Sequence, residues 1–452
     1  MQLTDLNPAR DIGANCLLIE LGPFRFILDC GMHPKRTGLA ALPALNKLAD
    51  DSIDFFVITH SHFDHIGGLP VAARYQRKAP IYCTLPTEVL MPRMLRNSCN
   101  VMMRQRDELN LPELPLFTFA EVERLEGRIR PLMFRRSYVI EKKGDRLEIT
   151  LFPAGHVAGA AGVRIVHNQK RYFFTGDVLF ADQLTLEGAR FPEEEFDLVV
   201  TETTRGARAR KAGTTRDSEA ERMIAAIDKV LGDGGTALVP VFALGRMQED
   251  MALVREARRA KKLRSSLIFA SGLGLDLVDY FDTLAQTNPS IRFKRKILKE
   301  MNVQPLRQKL GPGREPGQRG LYIVSSGMMV ENTPSYALAS GLLAQPRNGV
   351  FFVGYCDPET PGGKLLAAKP GEQFSFNTLQ HVTPVHAKVE RFDLSGHAER
   401  EELLAYAAAR KPKTVMVTHG DPDARKWFAE SLGRLKDAPR VIDPVPGDVI
   451  NV

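Results

Sequence analysis

Hydrophobic and polar positions along this chain fall into two regimes. From the N-terminus to about residue 205, short apolar runs recur between turn signals: "CLLIEL", "RFILDCG", "FFVITH", "RLEITLFPA", "GVRIVHN", "RYFFTGD" and "FDLVVTE". Such runs, rich in β-branched and aromatic residues and bounded by Gly, Asp or Asn, predict strands. A longer helical stretch interrupts them near Thr87–Asn110. From "TTRDSEAERMIAAIDKVL" onward the pattern changes to helix–strand alternation, with "TALVPVFA" before "GRMQEDMALVREARRAKK" and "SLIFASG" before "LGLDLVDYFDTLA". That alternation predicts a parallel sheet. After "HAKVERFDLSGHAER" a helix, "EELLAYAAAR", leads to the strand "TVMVTHGD", so the end of the chain returns to the manner of its beginning. No internal repeat is evident. One lobe inserted within another is the economical explanation of this order.

At 452 residues the chain exceeds one ordinary core, which agrees with two lobes. The composition, 44% hydrophobic and 25% charged, is that of a globular protein. No apolar run is long enough to span a bilayer, and the N-terminal "MQLTDLNPARDIGAN" lacks a signal-peptide pattern, so no membrane association is expected. The five cysteines, Cys16, Cys30, Cys83, Cys99 and Cys356, are scattered and without CxxC pairing. They predict free thiols in a reducing cytoplasm. Charge is unevenly spread: residues 206–375 hold 25 Lys/Arg against 17 Asp/Glu, or +8, within a chain of net +7. The middle of the chain is therefore either a solvated basic surface or a lobe that attracts a polyanion.

The densest chemistry lies in "FFVITHSHFDHIGGLP", Phe55 to Pro70. His60, His62, Asp64 and His65 crowd the exit of a buried strand, where side chains converge on a cleft. His60 and His62, two apart, project alike, while Asp64 and His65 lie further round the turn, a geometry that can feed two metal ions. Similar strand-end placement recurs at His156 in "FPAGHVAGAAG", Asp177 in "YFFTGDV" and His419 in "VMVTHGD". Each position alone has an ordinary structural explanation; jointly they point to a metal site. Zinc suits this nitrogen-rich, cysteine-free set, and an aspartate shared by two ions fits hydrolytic chemistry better than a closed structural site.

With these residues in hand, the chain resembles the metallo-β-lactamase superfamily, and specifically its β-CASP nuclease branch. "HSHFDH" is similar to the superfamily's central motif, and Asp29, His156 and Asp177 match the other three. Glu202 in "TETTRG", His397 in "DLSGHAE" and His419 in "VTHGDPDA" resemble the branch motifs A, B and C. The stretches "VPVFALGRMQE", "SSGMM" and "FFVGYCDPETPGGKLL" are similar to the β-CASP lobe, so the resemblance covers essentially the whole chain. It implies an α/β fold, a four-layer αββα metallo-β-lactamase lobe (residues 1–205 and 376–452) with a β-CASP lobe inserted at 206–375.

The resemblance further implies that His60, His62 and His156 bind one zinc and Asp64, His65 and His419 a second, with Asp177 bridging the two and Asp29 orienting the cluster. His397 would be the general acid for the leaving 3′-oxygen, held by Glu202. Two cations would hold the attacking hydroxide and neutralise the phosphate. The implied reaction is ribonuclease hydrolysis, endonucleolytic or 5′-exonucleolytic, to 5′-phosphate and 3′-hydroxyl ends. The implied partner is single-stranded RNA; a homo-oligomer remains open. Candidates for backbone contact are Arg246, Lys364 and the run Arg258–Arg264, with Ser325 and Ser326 offering hydroxyls to phosphate. Two stretches depart from the family pattern: Arg205 stands where motif A normally continues with Tyr, and "ENTP" at residues 331–334 replaces Glu-Gly-Gly-Pro. A DNA nuclease is the nearest rival, but its branch usually replaces the motif C histidine by valine. A non-catalytic subunit would have lost ligands, and a small-molecule hydrolase of the superfamily would lack the inserted lobe.

Overall fold

In the computed structural model, which describes residues 1–307 and 310–452, the chain divides into two compact units. The first comprises Met1–Asp182, Gly188–Ala209 and His397–Val452; the second comprises Gln183–Glu187 and Arg210–Gly396.

The first unit is built on two sheets, each with seven strands among the described residues. One runs, in spatial order, Val449–Asn451, Gln2–Asp5, Leu17–Leu21, Phe24–Leu28, Phe55–Val57, Ile81–Thr84 and Ile129–Leu132. The other runs Arg440–Ile442, Thr414–Thr418, Leu198–Glu202, Lys170–Phe174, Ala161–His167, Asp145–Pro153 and Ser137–Lys142. Because successive side chains of a strand point to opposite faces, each strand feeds two cores. Phe55 and Val57 enter the layer between the sheets with Phe26, Ile149, Val163 and Phe174. Phe56, one position on, faces outward into a core made with Leu69, Met91, Leu95 and Val122 of the helices Leu69–Tyr75, Leu85–Leu109 and Phe119–Glu126. On the far side, Phe173, Val199, Val415 and Val417 pack against Leu403, Ala407, Phe428 and Leu432 of the helices Arg400–Ala409 and Pro422–Gly433. The layers are therefore α, β, β and α.

The long helix expected near Thr87–Asn110 spans Leu85–Leu109. Thr84 caps its start by accepting from the Thr87 N–H, and Asn110 ends it in the left-handed region at φ 53°.

The second unit holds the parallel sheet that the alternating pattern predicts. Its strands lie in the order Val303–Pro305, Ile268–Ala270, Leu321–Val324, Ala237–Pro240, Gly349–Val353 and Lys388–Phe392, every pair parallel. The central strands are buried throughout, as sheets covered on both faces require. The boundary differs from the one the resemblance implies. Residues 376–396, read above as part of the first lobe, fall in the second unit, because Lys388–Phe392 pairs with Gly349–Val353 as an edge strand. No helix among the described residues is long and apolar enough to cross a membrane. All five cysteines are free and buried.

Candidate metal centre

All seven residues read as metal ligands lie in the first unit, and two groups of them converge. His60, His62, His156 and Asp177 each offer a ligand atom within 4.8 Å of the others, and so do Asp64, His65 and His419. The backbone explains the convergence. After the strand Phe55–Val57 the chain runs on through Ile58 and Thr59, then turns at His62 into the short helix Phe63–Ile66. That turn packs on the loop after Asp29 so closely that a Cβ at Gly31 would lie 1.7 Å from the Asp64 carbonyl oxygen. Only glycine fits there. Asp29 and His419 themselves sit at φ 57° and 45°, left-handed conformations uncommon outside glycine. Strain of this kind clusters at sites that need a side chain aimed in one direction.

Asp177 is the hub. Its Oδ2 lies 3.7 Å from Nε2 of both His60 and His156 and 3.4 Å from Nε2 of His65, while its Oδ1 lies 3.4 Å from Nδ1 of His419. The Asp64 carboxylate lies 3.2 Å from Nε2 of His419. Two residues that the sequence reading passed over complete the support. The Thr59 hydroxyl donates to Asp29 at 2.8 Å and lies 3.1 Å from Nδ1 of His60, and the Thr204 hydroxyl lies 2.9 Å from Nδ1 of His419. Their signal was adjacency: Thr59 directly precedes the histidine cluster, and Thr204 follows Glu202 by two.

The electrostatics suit a cation. Burial holds His60 well below the usual imidazole value, so it stays neutral, the state a ligand needs. Burial would raise the Asp177 carboxyl, yet the imidazoles of His419 and His65 outweigh it and hold it well below the usual range. Asp64 is likewise lowered to about 2: burial opposes ionisation, and the His65 and His419 imidazoles overcome it. In return, and again against burial, Asp177 and its fellow carboxylates raise His65 and His419. The carboxylates thus draw protons onto two rings, and a divalent cation satisfies the same demand. His60 Nε2 and Asp177 Oδ1 are buried with no hydrogen-bond partner among the described residues. An unsatisfied buried polar atom costs about 1–3 kcal/mol, which metal coordination at those atoms would offset. The donor set therefore fits zinc, with nitrogen and carboxylate ligands and no thiolate.

Beside this cluster, Nδ1 of His397 meets Oε2 of Glu202 at 2.9 Å, and the other Glu202 oxygen accepts from the Val178 N–H at 2.6 Å. The His397 ring lies 4.4 Å, centroid to centroid, from that of His156.

The four residues read as substrate contacts lie in the second unit and fare differently. Arg246 is buried rather than exposed: its guanidinium donates to the Leu394 carbonyl at 2.9 Å and to Gln183. It braces that unit and is not available to a phosphate. Its position at the head of a helix buried along "RMQEDMA" is the tertiary reason. In the run Arg258–Arg264, Arg258 turns inward to the Ser266 carbonyl and Arg264 pairs with Asp228. The Ser325 backbone N–H donates to the Ser271 hydroxyl at 3.0 Å, the Ser325 hydroxyl lies 3.1 Å from that same hydroxyl, and Ser326 Oγ accepts from the Val330 N–H. Lys364 is exposed, on a cavity of about 400 Å³ that it shares with Glu331 and Glu372, acids that oppose an anion.

Comparison with known proteins follows the same outline. The chain matches the family model of the metallo-beta-lactamase superfamily over residues 9–269, of the beta-Casp domain over 239–365, and of the Zn-dependent metallo-hydrolase RNA specificity domain over 382–439. It is 26% identical over 448 residues to an RNase J-like protein of Methanocaldococcus jannaschii, covering 98% of each chain. It is 25% identical over 443 residues to cleavage and polyadenylation specificity factor 73 of Drosophila melanogaster, covering 97% of this chain and 62% of that one. It is 24% identical to Integrator complex subunit 11 of Danio rerio, covering 96% and 71%. Among solved structures, a protein of unknown function from Enterococcus faecalis V583 shares the fold with a TM-score of 0.53 at 12% identity, over 99% of both chains.

Proposed function

The chain belongs to the metallo-β-lactamase superfamily, and from that premise we propose that it is a zinc-dependent ribonuclease leaving 5′-phosphate and 3′-hydroxyl ends. One observation carries the reading: the Asp177 carboxylate belongs to one ligand group and lies 3.4 Å from His65 and His419 of the other, with a carboxylate-held histidine beside them. His60, His62 and His156 would hold one ion and Asp64, His65 and His419 the other, with Asp177 between. When bound, such a pair supplies Lewis acidity toward a phosphate oxygen and a water of lowered pKa.

The chain's own residues do the rest. Glu202 is fixed by the Val178 N–H, so it can accept from His397 Nδ1–H and leave Nε2 pointing away from it. In the imidazolium form that Nε2–H is the proton for a departing 3′-oxygen, a contribution of roughly 10²–10⁴-fold. Asp29 accepts from the Thr59 backbone N–H and hydroxyl, both at 2.8 Å, and through His65 Nδ1 fixes which ring nitrogen would be free to hold an ion.

RNA as substrate is supported by the match to an RNA specificity domain over 382–439, the segment that carries His397 and His419. The names of the relatives, an RNase J-like protein and a cleavage and polyadenylation factor, point the same way. The test is end-labelled RNA bearing 5′-phosphate or 5′-triphosphate, run beside DNA of the same sequence on a sequencing gel. Internal cleavage, end-dependent trimming and inactivity give different ladders. Cleavage of DNA as fast as RNA would move the enzyme to the DNA-processing side of its family.

A further inference from the structure

Arg205, the residue that departs from the motif A pattern, is not a surface arginine. Its side chain is 9% exposed, and its Nη2 lies 2.9 Å from Oε2 of Glu399, itself 20% exposed. Both partners flank the acid pair: Arg205 follows Glu202 by three residues, and Glu399 follows His397 by two. A second tie lies alongside, where the Arg400 guanidinium donates to the Gly206 carbonyl at 3.0 Å while stacking over Trp427 at 4.2 Å. Gly206 must be glycine, because a Cβ there would meet the Ala424 carbonyl oxygen at 2.3 Å. The turn from Glu202 to Gly206 is thus laced to the segment His397–Arg400 at three points. Through Thr204 it also touches His419.

We propose that the Arg205–Glu399 ion pair is a positioning device that keeps His397 in register with Glu202, and so sets the proton donor of the reaction. The inference rests on the phosphodiester reading above. His397 lies in a stretch without regular structure, between the strand Lys388–Phe392 and the helix Arg400–Ala409. Its neighbours must therefore supply the stiffness that a strand or helix would otherwise provide. A guanidinium is always charged, so an Arg–carboxylate contact shielded from water holds the two segments together by an attraction that solvent screens little. Catalysis is sensitive to such placement: an error of about 1 Å can cost roughly 10²-fold.

The test compares Arg205→Ala, Arg205→Lys, Glu399→Gln and the Arg205→Ala/Glu399→Gln double variant with the zinc-loaded wild type. Two substrates are used: single-stranded RNA, and bis(4-nitrophenyl) phosphate, whose leaving group departs without a proton. Arg205→Ala should lower kcat on RNA by roughly 10–100-fold with KM little changed, and leave the nitrophenyl diester near the wild-type rate. Glu399→Gln, which keeps the side chain's shape and removes its charge, should do the same. The double variant should be no worse than either single change, and Arg205→Lys should recover part of the loss. Independently of activity, the ¹⁵N resonances of the His397 ring should show one tautomer in the wild type and exchange between two in Arg205→Ala. Equal losses on both substrates, or an unchanged His397 spectrum, would overturn the proposal. A raised KM for RNA with a weaker salt dependence would overturn it too, making Arg205 a phosphate contact. If the wild type cleaves neither substrate, the phosphodiester reading fails, and the ring spectrum still decides the positioning role.

Discussion

Nδ1 of His65 meets a carboxylate oxygen of Asp29 at 2.7 Å, and the opposite ring nitrogen, Nε2, lies 3.4 Å from Asp177 and 3.8 Å from Asp64. One hydrogen bond on the outside of the cluster thereby selects which nitrogen faces inward. Asp29→Asn isolates this effect, since asparagine accepts the left-handed backbone at φ 57°. Zinc affinity, measured by competition with a chelator, should fall about 10–100-fold with the fold intact. An unchanged affinity would make Asp29 an ordinary strand-end aspartate.

The two ligand groups predict two zinc ions per chain. Elemental analysis of protein purified without chelator should approach that ratio, and Asp177→Asn should lower it, since its carboxylate belongs to one group and lies 3.4 Å from His65 and His419 of the other. Full activity with no zinc would remove the assignment.

His397, Glu202 and Asp177 also lie close together, but His397→Ala should retain its metal, because Nδ1 of His397 is taken by Glu202 and the seven residues proposed above hold both ions without it. Its rate on RNA should drop by roughly 10²–10⁴-fold, and a leaving group that needs no proton should restore much of it. Loss of zinc from this variant would show His397 to be a ligand.

The second unit makes a contrast between two cations. If Lys364 touches a phosphate, Lys364→Ala should reduce the log–log salt slope of single-strand binding by about 0.7. Arg246→Ala should leave the slope unchanged and instead destabilise the unit. Each lost hydrogen bond to the charged guanidinium is worth about 1.5–3 kcal/mol. Salt titrations and thermal unfolding separate the two outcomes.

Asp250, buried in the helix Arg246–Arg259, has both carboxylate oxygens without a hydrogen-bond partner among the described residues. Burial pushes its carboxyl from 3.8 up to about 7, with Arg246 and Arg216 pulling it down and Glu249 pushing it up. The folded chain therefore holds this proton more tightly than the unfolded chain. The resulting stability is fully present below 3.8 and is lost as the pH rises through about 7. Asp250→Asn should remove that part of the decline, and unfolding midpoints taken from roughly pH 4 to pH 8 would show it. Parallel curves for variant and wild type would contradict the assignment.

The convergence of His60, Asp177 and His419 was legible in the sequence because its information is local. Each of His60, Asp177 and His419 follows an apolar run that can only be a buried strand, and the ends of neighbouring strands must come together. The alternation of Phe55, Phe56 and Val57 likewise encodes two faces before any partner is known. A period of two tells a strand which way its side chains point and nothing about which strand lies beside it. For that reason only the tertiary structure decided that Lys388–Phe392 joins the second unit, which runs to Gly396, twenty-one residues beyond the Ser375 boundary expected from the sequence. Arginine carries the same limit. Arg246, Arg205 and Lys364 are all cations in the sequence, but the first is buried against Leu394, the second is paired with Glu399, and the third is exposed. Whether a charge meets solvent, a carbonyl or a carboxylate depends on what folds over it from far along the chain, and no local pattern contains that.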